Sequence, residues 1–60
     1  MTKLYEDALR LSVNENLRNI RTLLEWAQGA GGLDETIRHT RQALTLLSEV
    51  VDNLEELKRS

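Results

Sequence analysis

The sequence predicts an all-α protein, an antiparallel two-helix hairpin that completes a four-helix bundle by dimerisation or by binding a partner. Three observations lead there. All three glycines fall in one short stretch, Gly29-Ala30-Gly31-Gly32, and the chain has no proline. Leucine, glutamate and arginine dominate on both sides of that breaker, which is helix-forming composition. On each side, apolar residues recur at spacings of three and four, the period of a helix with one apolar face.

The first helix is predicted over about 3–28. From Val13 onward, Val13, Leu17, Ile20, Leu24 and Ala27 form a seam with a heptad spacing, widened by Leu23. Extended backward, that seam lands on Arg10, Glu6 and Lys3, all charged. The apolar residues there are Leu4, Tyr5, Ala8, Leu9 and Leu11. At about 100° per residue, Leu4, Ala8 and Leu11 lie roughly a third of a turn from the later stripe, while Leu9 stays near it. Ser12-Val13-Asn14-Glu15 also has the S-x-x-E spacing of a capping box, which would restart a helix. Two arrangements follow. A continuous or mildly kinked helix matches the second helix in length and leaves Leu4 and Leu11 partly exposed. A break near residue 12 frees a short N-terminal segment. Length matching favours the continuous helix, and serine is tolerated in a helix interior. Gly29 in a left-handed conformation should end it.

A turn over 29–33 is short enough to make the two helices antiparallel neighbours. The second helix is predicted over about 34–58, with Asp34 as N-cap, Glu35 adding charge suited to an N-terminus, and Lys58 and Arg59 suited to a C-terminus. Its seam runs Leu33, Ile37, Thr40, Leu44, Leu47, Val51, Leu54. Ala43, Val50 and Leu57 widen it on one flank, to a face broader than a two-stranded coiled coil requires.

Sixty residues form one domain at most, so the whole of 1–60 is predicted to be this single hairpin. Such a chain is too small for its core to outweigh chain entropy comfortably. With no cysteine and one histidine, disulfides, thiolate metal sites and a multi-histidine site are excluded, and association is the remaining route to stability. The net charge of −2 demands neither nucleic acid nor an anionic membrane. Apolar residues run no longer than pairs, so no membrane span is expected, and the early acids of the N-terminal segment argue against a targeting peptide. Absence of cysteine fits a reducing cytoplasm, the predicted location.

If residues whose numbers sum to about 62 face each other across the hairpin, Arg18 and Arg21 lie beside Arg38, His39 and Arg41, making a basic loop end. Glu6, Asp7, Glu55 and Glu56, with Glu49 and Asp52 close by, make an acidic open end. Two hairpins packed antiparallel would set each acidic end against a basic one. Local pairs are expected at Glu6–Arg10, Asp34–Arg38 and Arg21–Glu25.

Candidate sites are few. His39 lies one turn after Glu35, but an acid–base pair needs a pocket that a hairpin lacks, so His39 is expected at the surface. There is no nucleophile–base pattern, phosphate loop or metal spacing, so no catalytic residue, cofactor or metal is predicted, and no enzyme. Lys3, Arg10, Asn14, Arg18 and Arg21 line one stripe of a continuous first helix and could contact nucleic-acid phosphates. Asp7 and Glu25 interrupt that stripe and no aromatic lies on it, which reads as a solvated face. The residues expected to bind a partner are Leu17, Leu24, Leu44, Leu47, Val51 and Leu54 of the seams, with Trp26, outside its seam, as an anchor. Leu46 also falls outside its seam.

Two families resemble this plan. The start "MTK", Ala8-Leu9 and "TLLE" at Thr22 to Glu25 are similar to the plasmid copy-number regulators typified by Rop. That resemblance implies a homodimer of hairpins binding paired RNA loops, although Asn14 stands where that family stacks an aromatic. "GA" at the turn, Arg41-Gln42-Ala43-Leu44 and the leucine-rich second helix resemble the small type III secretion co-chaperones of the YscE and PscE type. That resemblance covers about half the chain and implies heteromeric binding through the apolar seam. The predicted role is therefore protein–protein binding, as adaptor, co-chaperone or small inhibitor. The alternatives are a Rop-like RNA-binding homodimer, or a phage-type inhibitor of a nucleic-acid-processing complex acting through Glu49, Asp52, Glu55 and Glu56.

Overall fold

A computed structural model describes residues 2–60; Met1 lies outside the described residues. Two helices, α1 (Lys3–Gln28) and α2 (Leu33–Arg59), pack antiparallel around one turn. The hairpin extends 45 Å along its axis and 14 by 11 Å across it.

Thr2 starts α1. Its backbone is extended, and its hydroxyl oxygen accepts from the Tyr5 N–H at 3.3 Å, satisfying one of the donors a helix start leaves unpaired. The helix then runs unbroken through Ser12, so the capping-box spacing there is not used. An uninterrupted backbone ladder outweighs a local serine cap, because a break would strand a further set of N–H and C=O groups. Leu4 and Leu11 are exposed as that continuity requires.

The turn differs from expectation in two ways. Gly29 ends α1 at φ −90° and ψ 2°, not in the left-handed region, and its N–H donates to the Glu25 carbonyl at 3.1 Å. Gly32, not Asp34, is the N-cap of α2; it is extended and supplies no side-chain cap. Asp34 and Glu35 therefore sit inside the first turn, where their charge still complements the helix dipole. The Thr36 hydroxyl crosses the turn, lying 3.4 Å from the Ala27 carbonyl and 3.1 Å from that of Gly32. One of the last carbonyls of α1 thereby gains a partner from α2.

The buried residues are Val13, Ile20 and Ala27 of α1 and Ala43 and Val50 of α2, with Leu23 and Leu46 packed against them. Partly buried Leu9 and Asn16 extend the α1 seam; Thr36, His39, Asn53 and Leu57 extend that of α2. Both seams step by three and four, as antiparallel helices in a bundle require. Across the hairpin Ala27 meets Thr36 (3.4 Å), Asn16 meets Glu49 (3.5 Å) and Glu6 meets Ser60 (2.6 Å), so facing positions sum to between 63 and 66 rather than 62.

This overturns part of the predicted core. In α2 the residues taken as flank, Ala43, Val50 and Leu57, face α1, while Ile37, Leu44, Leu47, Val51 and Leu54 are exposed. In α1 the predicted seam splits: Val13, Ile20 and Ala27 go in, Leu17 and Leu24 stay out, and Leu23 takes their place. The physical reason is visible in the numbering. From Ile37 to Leu54, the exposed seam of α2 follows the buried one by a single residue throughout, so the helix carries two adjacent seams about 100° apart. The intramolecular contact uses the one lined by the smaller side chains, notably Ala43.

Candidate functional site

The unused seam leaves a row of large apolar side chains exposed. Leu17 and Leu24 of α1 and Thr40 of α2 line a groove of about 640 Å³ together with Ile20 and Ala27, edged by the polar Arg21, Glu25, Gln28 and Thr36. Along α2 the same face continues through Ile37, Leu44, Leu47, Val51 and Leu54. Leu44 is 65 % exposed; Ile37, Val51 and Leu54 are each about half exposed. Six of the seven residues expected to bind a partner therefore share one continuous strip.

Trp26 does not join them. It lies nine residues beyond Leu17, about two and a half turns, and so points to the opposite face. There its ring meets His39 edge-on, with centroids 5.7 Å apart and planes at 63°. It also borders a shallow groove of about 520 Å³ with Thr22, Leu23, Gln42 and Leu46. Leu46, expected outside the packing, instead lies against the core because the buried seam passes through it.

His39 is a further correction. Its side chain is only 13 % exposed, in the seam between the helices. Nε2 lies 3.7 Å from Glu35, as the one-turn spacing predicts, while Nδ1 is buried without a hydrogen-bond partner. That orphaned nitrogen opposes burial, and the Trp26 edge contact offsets part of the cost.

The charged residues are placed by the same geometry. Lys3, Arg10, Arg18 and Arg21 are exposed along α1. Arg21 pairs with Glu25 at 3.5 Å, so that end of the stripe is partly neutralised. Arg38 pairs with Glu35 at 3.8 Å rather than with Asp34, and Arg59 with Glu56 at 3.2 Å. In the acidic open end, Glu6 accepts a hydrogen bond from Ser60, the C-cap of α2, and Glu49 accepts one from Asn16 of α1, which ties both to the fold. Among the described residues, no group of three or more His, Cys, Asp or Glu side chains could hold a metal ion, and no helix is long and apolar enough to cross a membrane.

Compared with known proteins, the chain matches no protein-family model, no curated protein and no solved structure.

Proposed function

We propose that this chain is a non-enzymatic protein-interaction module that docks other helices along its open seam, completing a bundle. The observation that carries this reading is that the more apolar of two adjacent seams is the one left outside. A hairpin that functioned alone would gain by turning its leucines inward. Instead it buries alanines and valines and presents Leu17, Leu24, Ile37, Leu44, Leu47, Val51 and Leu54 at about half exposure. At about 1.5–3 kcal/mol for each fully buried side chain, covering what remains of these seven offers on the order of 5–10 kcal/mol per hairpin. A docking cost of roughly 4–15 kcal/mol is set against the sum from both sides of the interface.

The charged stripe and the Trp26 groove play a secondary part, as the rim and the back of the module. Leu47→Asp tests the reading. It should abolish association and much of the helicity together, because a carboxylate enters an apolar interface. A variant that stays helical and associated refutes this surface.

A further inference from the structure

Building on that docking reading, we propose that the occupant of the open seam is a second copy of this chain, with its loop at the opposite end and α2 lying against α2. The open seam of α2 is complementary to its own reversal. Turned about a point between Thr45 and Leu46, it brings Ile37 level with Leu54 of the second copy, Thr40 with Val51, and Leu44 with Leu47. These are the alternating layers of an antiparallel helix pair, and each holds an apolar side chain from both copies except where the Thr40 methyl serves.

Charge follows the same operation. On the side of α2 away from α1, Arg41 of one copy falls within reach of Asp52 and Glu55 of the other. Positions 16–46, the loop half, carry four arginines against three acids, and the remaining open half carries four basic residues against seven acids. Loops at opposite ends therefore set the unlike halves together. With the loops at the same end, α1 would face α2 of the second copy. Facing positions that sum to 63–66 would then bring Leu17 near Leu47 and Ile20 near Leu44, so apolar layers form in that arrangement too. It is disfavoured because it sets the acidic open half against the acidic open half of the second copy.

The test uses the full chain carrying Gly31→Cys. The natural sequence has no cysteine, a Cβ at Gly31 meets nothing within 4 Å, and the backbone there is not left-handed. With a nitroxide on Cys, sedimentation equilibrium gives the stoichiometry and pulsed electron paramagnetic resonance gives the distance between loops. The expected result is a dimer with labels roughly 40 Å apart, the length of α2. Labels within about 20 Å, the separation of neighbouring helices plus the linkers, overturn the arrangement. A monomer at tens of micromolar overturns self-pairing altogether. Circular dichroism then separates the two ideas: a poorly helical monomer leaves the docking surface intact for another protein, and a fully helical monomer defeats the docking reading as well. Arg41→Glu should weaken the dimer about tenfold, and adding Asp52→Arg and Glu55→Arg should restore it.

Discussion

Leu44→Asp separates the two seams of α2. Leu44 is 65 % exposed in the hairpin, so only about a third of its surface is already covered. In an isolated hairpin, losing that third and placing aspartate in a helix interior costs about 1–1.5 kcal/mol together. In the associated state, each copy also loses the burial of the remaining two thirds, about 1–2 kcal/mol, and must desolvate a carboxylate, at least about 1–3 kcal/mol more. Two copies give on the order of 4–10 kcal/mol, or a dissociation constant raised about a thousandfold or more. Sedimentation equilibrium reads the association directly, and thermal melts followed by circular dichroism at several concentrations read the linked helicity. Ile20→Ala is the comparison: Ile20 is 5 % exposed, and its loss should cost about 2–5 kcal/mol at any concentration. The reasoning fails if Leu44→Asp associates and melts like the natural chain.

Three further substitutions probe the hairpin itself. Ala43→Leu places a large side chain where the helices approach at 2 % exposure, and should lower stability by about 1–3 kcal/mol in denaturant titration; an unchanged midpoint would show that the seam is loose there. Gly32→Ser supplies the missing side-chain cap on an extended backbone with open space for a Cβ, and should raise stability by about 0.5–1 kcal/mol, seen as a melting temperature a few degrees higher. His39→Leu removes the buried unpartnered Nδ1, so it should be neutral or stabilising in the same melts, and a clear loss would show that the Trp26 edge contact and the approach to Glu35 outweigh the unpaired nitrogen.

The helices and their antiparallel order were legible in the residues, since one glycine cluster in a proline-free, leucine-rich chain leaves little else to build. The limits of both helices fell within one residue of the structure, and the choice of a continuous α1 over a break at Ser12 rested on length matching. The missed features share one cause. Periodicity locates apolar stripes but does not say which neighbour each stripe faces, and α2 has two stripes one residue apart. The stripe richer in leucine was assigned to α1 when geometry gives α1 the stripe with Ala43 and Val50. That phase error displaced Leu46 and His39 from the core. The register moved from 62 to 63–66, as the contacts of Ala27 with Thr36, Asn16 with Glu49 and Glu6 with Ser60 show. Thr2 as the cap of α1 was overlooked, although a threonine just before Lys3 is the ordinary signal for one. Leu17, Leu24, Leu44, Leu47, Val51 and Leu54 still lie on one side once they move from inner core to outer face, while Trp26 lies on the opposite side, a half-turn offset from Leu17 fixed by helix geometry alone.

The central claim, that the exposed seam exists to be covered by other helices, meets its most direct test in sedimentation equilibrium of the natural chain over a range of concentrations, with circular dichroism on the same samples. The account predicts a strongly helical associated state whose helicity and mass fall together on dilution. A monomer that stays fully helical at every concentration, with those leucines in water, would contradict it.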